Sequence, residues 1–316
     1  MLLVGTDDGV YAVREASGSR TARVRKRLGV GRVHRLRRFD GVEGVFAATS
    51  SGLYHGGDGD EWTALSVPRE QVYAVGCDPA TGRLFAGTRP AHVYVADAVA
   101  ADGTVADTPA WTEITAIQEL PSRDEWRLPR HDDLAQIRDV VYDGDRLAVG
   151  VEVGGVVVGE DGSYRSTEGV YDDVHELSVT GPGAYVAATG SGLYRTDDAG
   201  ETWDRLDEDV PQRYFRRVHA VGDTVYAAGA LANSSTWNDP DADPALYAVD
   251  GDGLRHVPLP RDDETVTGMT TVDGSLVAVT HLGGVFHRRG DGWRELPAVP
   301  VVEGRVAGRY TPVTPA

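Results

Sequence analysis

Val45-Phe46-Ala47-Ala48-Thr49-Ser50-Ser51-Gly52-Leu53-Tyr54 and Ala184-Tyr185-Val186-Ala187-Ala188-Thr189-Gly190-Ser191-Gly192-Leu193-Tyr194 are two copies of one phrase. An apolar run ends in a small residue, a Gly-containing turn follows, and a second short run opens with Gly-Leu-Tyr. Variants of the phrase occupy Leu2–Arg14, Leu84–Asp97, Leu147–Glu160, Val225–Gly251 and Leu276–Gly290, which makes seven copies in 316 residues. Self-similarity at a spacing of about 40–50 residues is the mark of a β-propeller or a related repeat array.

Working outward, most copies are preceded by a short apolar segment: Val33–Leu36, Val72–Val75, Ile137–Val140, Val174–Leu177, Val218–Val221 and Val266–Met269. Several are followed by a segment opening on tryptophan, at Trp62–Leu65, Trp111–Ile114, Trp203–Leu206 and Trp293–Leu296. Short β-branched and aromatic runs bounded by Gly, Asp and Ser are strand signals, and no long window has helical periodicity. Each unit therefore reads as four antiparallel strands, and the chain as an all-β, seven-bladed propeller forming one domain over residues 1–316. The first unit opens on its second strand at Leu2, so Val301–Thr311, which has no repeat of its own, is expected to supply the missing inner strand. Pairing the two ends removes the exposed edge of an open ring.

With 31 Lys+Arg against 49 Asp+Glu the net charge is −18, and Lys26 is the sole lysine. Such a surface repels phosphate backbones, so nucleic acid and anionic membranes are not expected partners. The Asp-rich, Lys-poor balance resembles that of proteins from salt-loving archaea. One cysteine, Cys77 in an apolar run, excludes a disulfide framework and reads as a core thiol. No apolar stretch reaches the roughly 18 residues of a membrane span, and no leader-like segment precedes the first repeat. The expectation is a soluble, cytoplasmic monomer.

In the fifth unit, Thr196-Asp197-Asp198-Ala199-Gly200-Glu201-Thr202-Trp203 matches the pattern Ser/Thr-x-Asp-x-Gly-x-Thr-Trp. This resembles the BNR/Asp-box repeat of sialidase-like propellers, and the wider phrase is similar to uncharacterised glycosyl-hydrolase-related proteins of bacteria and archaea. The resemblance implies a turn role for Thr196, Asp198, Gly200, Thr202 and Trp203, on the face away from any active centre. It also permits a direct test. Sialidase chemistry in the family needs an Arg-Ile-Pro motif on the opening strand, yet that strand is Leu2-Leu3-Val4-Gly5-Thr6, and Arg127-Leu128-Pro129 lies in an insertion. True sialidase activity is not expected.

Second-to-third-strand turns share one face of a propeller with fourth-to-first connections. The turn residues Asp7, Ser50, Arg89, Glu152, Ser191, Asn233 and His281 are expected to ring the channel mouth, with His34, Tyr73, Arg138, His175, Glu176 and His219 below them. Two insertions fall on the same face: Thr115–Gln136, with Trp126 and His131, and Ala232–Pro244, with Trp237. Long irregular loops are often functional, and both read as ordered lids. Glu152 interrupts an apolar strand; beside Arg138 it suits an acid/base group, a ligand anchor or a channel salt bridge. His131 completes the catalytic candidates, and Arg89, His175, His219, Asn233, His281, Trp126 and Trp237 the ligand-binding ones. His34, His175, His219 and His281 come from different blades but lack metal-ligand spacing, and Asp239–Asp243 lacks the Gly and distal Glu of a calcium loop, so no metal or cofactor is expected. The reading is a scaffold that binds a protein or a small polar ligand at its loop-rich face, with a carbohydrate hydrolase or lyase as the alternative.

Overall fold

A computed structural model describes residues 1–15, 23–57, 61–129, 132–302 and 310–316. It holds seven four-stranded antiparallel sheets, six of them in sequence order and the seventh built from Val313–Pro315, Leu2–Thr6, Gly9–Arg14 and Arg23–Leu28. The chain is a seven-bladed β-propeller.

The alternation of small and branched residues in the phrase has a packing reason. Buried side chains fall into seven clusters, one at each seam between neighbouring blades. Second strands present Ala47, Ala86, Ala148, Ala187, Ala227 and Ala278 to these seams, all fully buried. Small side chains there let facing sheets approach, while Val, Leu and Phe from the next blade fill the gap. Trp62 and Trp203, just before their outer strands, and Trp293 within its own, pack against seams.

Ring closure comes later in the chain than the sequence suggested. Val301 and Val302 form no strand, 303–309 lie outside the described residues, and the inner strand of the first blade is Val313–Pro315. Its register is Leu2↔Pro315, Leu3↔Thr314 and Val4↔Val313. The sixth inner strand also differs, running from Tyr214 to Val221 rather than from Val218.

The inner strands carry a shared irregularity that positions the channel. In each of blades two to seven the pairing slips by one residue, between Val33/Arg35, Val72/Ala74, Ile137/Asp139, Val174/Glu176, Phe215/Arg217 and Val266/Gly268. A bulge leaves its extra residue without a cross-strand partner and re-aims that side chain. The residues so released are His34, Tyr73, Arg138, His175, Arg216 and Thr267, one per blade.

Among the described residues the two insertions differ: the first packs into a seam and meets the mouth only through its last residue, Gln136. Thr115–Gln118 is a short helix and Pro121–Glu125 a 3-10 turn; Ile117, Leu120 and Trp126 are buried with Ala91, Val93 and Ile137 in the seam between blades three and four. Arg123 lies 5.1 Å from the Trp126 ring centre. Residues 115–129 form a wedge rather than a lid, and Trp126 is their anchor. The Ala232–Pro244 segment leans over the loop-rich end, pinned by Trp237, whose ring is 1 % exposed and sits edge-on to Tyr214 and His281.

Candidate functional site

The loop-rich end of the axis opens into a cavity of about 1040 Å³. Its walls are the second-to-third turns at Asp7, Ser50, Arg89, Glu152 and Gly190, the segment Leu231–Ser235, and the fourth-to-first connections at Arg32, Gln71, Gln136, Tyr171 and Asp173. The bulged residues close it from below. His34 and Tyr73 stack with centroids 3.9 Å apart, and Tyr310 meets His34 edge-on at 5.4 Å. The guanidinium carbons of Arg138 and Arg216 lie 4.9 and 4.2 Å from the Tyr310 ring centre. Beneath them a void of about 10 Å³ remains, at the lower limit for one water. The cavity is thus a blind funnel with a cationic aromatic floor.

Among the described residues four arginines, Arg32, Arg89, Arg138 and Arg216, line it against three carboxylates, Asp7, Glu152 and Asp173. Arg32 Nε donates to Asp7 Oδ1 at 2.7 Å, and Arg138 Nη1 lies 3.1 Å from Glu152 Oε2 while donating to the Tyr310 hydroxyl. Gln136 donates to the same Glu152 oxygen. Burial works against the Glu152 charge, but Arg138, His175 and Gln136 outweigh it and hold the carboxyl below its usual range. Burial, followed by the charges of Arg138, Arg32, Arg89 and Arg216, drives the His34 pKa well below its ordinary value, so the ring is neutral at pH 7. Neither His34 ring nitrogen has a hydrogen-bond partner among the described residues.

Tyr310 responds to this field in the direction opposite to its tyrosine neighbours. Burial alone raises a phenol's pKa, but Arg138 and Arg216 pull that of Tyr310 down to about 8, while Tyr73 and Tyr214 are pushed up to about 12. Ultraviolet difference titration is expected to show one phenolate forming near pH 8 in the folded protein, absent in Tyr310→Phe. A depressed acid pKa stabilises the charged form, so this tyrosine adds stability as pH rises from about 8 to 10 and none below. A first phenolate appearing only near pH 10 would contradict the geometry.

The sequence candidates divide between this site and others. Glu152, Arg138, Arg89 and Asn233 line the funnel, and His175 lies in its floor, with Nδ1 donating to the Phe215 carbonyl at 2.6 Å and Nε2 3.4 Å from Asp173. His281 is fully buried behind the Trp237 segment: its Nδ1 accepts from Thr265 N at 3.1 Å, which leaves Nε2 to donate to Asn238 Oδ1 at 3.3 Å. His219 lies at the opposite end of the axis, bonded to Thr271 Oγ1 at 2.9 Å. His131 lies outside the described residues. Among the described residues no group of three or more His, Cys, Asp or Glu is placed to hold a metal, and no helix is long and apolar enough to cross a membrane.

Sequence reading missed Arg32, Arg216, Tyr214 and Tyr310. Arg216 carried a usable signal: aligning Phe215 with Val33, Val72, Ile137 and Val174 puts it in register with Arg138 and His175. Starting that strand at Val218 picked out His219 instead, three residues farther down the axis.

The Thr196–Trp203 turn is closed by its own side chains. Thr202 N and Oγ1 donate to Asp198 at 2.9 and 2.6 Å, and Gly200 N donates to Thr196 Oγ1 at 2.9 Å. Chiefly through the Thr202 hydroxyl, the Asp198 carboxyl is held down to about 2. Gly200 has φ +79°, and a Cβ there would strike Thr167. As a third-to-fourth turn it lies on the face opposite the funnel.

No family model matches the chain, and no curated protein does. Solved structures do. The WD40 β-propeller domain of Doa1 is 12 % identical with a TM-score of 0.59, over 85 % of this chain and 83 % of that one. The GH74 xyloglucanase from Xanthomonas campestris is 15 % identical with a TM-score of 0.60, over 84 % of this chain and 45 % of that one. YCF48 bound to D1 peptide is 12 % identical with a TM-score of 0.58, over 83 % and 81 %. The likeness is one of fold.

Proposed function

We propose that this propeller is a binding scaffold whose loop-rich end receives a polar segment of a protein partner in the blind funnel. One observation carries the reading: a polar cavity with a sealed floor lies beneath an exposed rim of Tyr171 and Leu231, 44 % and 40 % exposed. Rim aromatics and aliphatics supply anchoring area, and the arginines below supply direction and charge complementarity. The peptide bound by YCF48 supports this mode by analogy of fold. The Asp-box hydrogen bonding at Asp198 likewise supports kinship with the sialidase-related branch, and we read residues 1–316 as one domain acting in the cytoplasm.

Panning a displayed peptide library against the protein tests the proposal. Enrichment of a common motif, lost in the double variant Arg89→Gln/Tyr171→Ala, is the expected result. No enrichment, or enrichment indifferent to both changes, would overturn it. A second reading, hydrolase or lyase chemistry on a carbohydrate or other polar small molecule, is favoured by Glu152 beside Arg138 and the acidified Tyr310. It requires turnover of a chromogenic glycoside panel that disappears in Glu152→Gln.

A further inference from the structure

A second cavity of about 320 Å³ opens at the other end of the axis, beyond the Tyr310 plug. Arg35, Arg37, Arg38 and Arg217 line it, with Glu176 in its wall and Asp139 just behind. Both carboxylates are already engaged. Asp139 accepts from Arg37 Nη2 at 2.8 Å and from the Val140 and Leu177 amides at 2.9 and 3.0 Å. Glu176 accepts from Arg217 Nη1 at 2.8 Å, from Arg35 Nη1, and from the Val218 amide at 3.0 Å. Burial holds His219 below its ordinary pKa, so it adds no charge at neutral pH. Among the described residues four guanidinium groups thus stand against two carboxylates, a local cationic excess inside a chain of net charge −18.

Two donors are left over. Arg35 Nε and Arg217 Nη2 have no acceptor among the described residues, although both side chains are at least nine-tenths buried. A buried N–H without an acceptor is costly, more so on a charged group, and water can accept the bond without balancing the charge. Burial, the leading effect on Arg217, pulls its pKa down to about 10, as expected of a cation short of compensation. The geometry also selects the anion. Arg35 and Arg37 belong to the second blade and Arg217 to the sixth, so the cations around the vestibule come from different sides of the axis. A planar carboxylate is best served by two parallel N–H groups of one guanidinium, whereas donors converging from several sides suit a tetrahedral oxyanion.

We propose that this lower vestibule is a phosphate-class oxyanion site, distinct from the funnel and independent of what binds there, which takes inorganic phosphate or the phosphate group of a small monoester. Arg35, Arg37, Arg38 and Arg217 supply its cationic wall, with Thr270 beside them.

The test is a thermal-shift and calorimetric titration of the intact protein with inorganic phosphate and, separately, glycerol phosphate, at fixed ionic strength with chloride as control. Saturable stabilisation by either phosphate and not by chloride is expected; a response to the ester alone identifies the monoester as the source. Arg217→Gln should weaken binding about tenfold or more, the loss of one charged hydrogen bond. Should Arg217→Gln not fold, Arg37→Gln, whose side chain is partly exposed, reads the same effect. The funnel variant Arg89→Gln should leave phosphate affinity unchanged. The proposal falls if neither phosphate stabilises the protein at millimolar concentration, or if Arg89→Gln removes the effect and the vestibule variants do not.

Discussion

Glu176→Gln is expected to destabilise the fold by about 3–5 kcal/mol, the cost of breaking a buried ion pair by removing one partner. Glu176 joins three blades: its own fifth, the second through Arg35 and the sixth through Arg217 and the Val218 amide. Glutamine keeps one acceptor oxygen and turns an NH₂ toward a guanidinium, so two buried cations lose their counter-charge together. Against a typical total of about 5–15 kcal/mol this is a large fraction. The pH dependence has a definite sign. Burial would raise the Glu176 pKa, but Arg217, Arg35 and the Val218 amide outweigh it and depress it from 4.5 to about 2. Its contribution is therefore complete above pH 4.5 and is lost as pH falls toward 2, a swing of about 3 kcal/mol. Urea unfolding at neutral pH and across that acid window should show a lower midpoint and a flatter acid limb in Glu176→Gln. An unchanged midpoint at neutral pH would refute the claim that this carboxylate ties the inner strands together.

The blades were legible in the sequence because they repeat variants of one physical solution: a second strand of small and branched residues for close approach, a turn, and a third strand of the Gly-Leu-Tyr or Gly-Val-Tyr type. Ala47, Ala187 and Tyr194 could be placed from the chain alone. The channel was less legible, for a reason the inner strands make plain. A bulge near the start of six of them breaks the alternation on which side-chain placement from sequence depends. His34, Tyr73, Arg138 and His175 were still found where strand starts were recognised, but Arg216 was lost to a misplaced start. Tyr310 was invisible, since it enters the floor from a segment outside the repeat and owes its lowered pKa to arginines of two distant blades. The tryptophans misled in a different way. Trp126 and Trp237 suggested ligand platforms, but each has the size to fill a gap under an irregular segment, and both do so.

Removal of Pro312–Ala316 is expected to abolish cooperative thermal unfolding and to leave a chain that associates. The segment gives the first blade its inner strand: Gly5 N donates to the Pro312 carbonyl at 2.8 Å, the ladder continues through Leu3↔Thr314, and Ala316 N donates to the Met1 carbonyl at 3.1 Å. Val313 is buried with Leu2, Val4, Val277 and Val279 in the seam between blades seven and one. Burying one such side chain is worth about 1.5–3 kcal/mol and each net hydrogen bond about 0.5–1.5 kcal/mol, so the deletion removes roughly 5 kcal/mol, close to the whole stability of many domains. The fit leaves no slack on the neighbouring blade either, because a Cβ on Gly268 would overlap the Thr311 carbonyl oxygen. Loss of the strand also bares the edge of Leu2–Thr6, five buried residues with unsatisfied backbone groups, which is a template for intermolecular pairing. Calorimetry should show loss of the single transition, and light scattering should show growth in mass. A synthetic peptide spanning Thr311–Ala316, added in excess, should restore the transition by occupying the vacant edge. A truncated chain that melts cooperatively as a monomer without the peptide would show that the ring does not depend on this strand for closure.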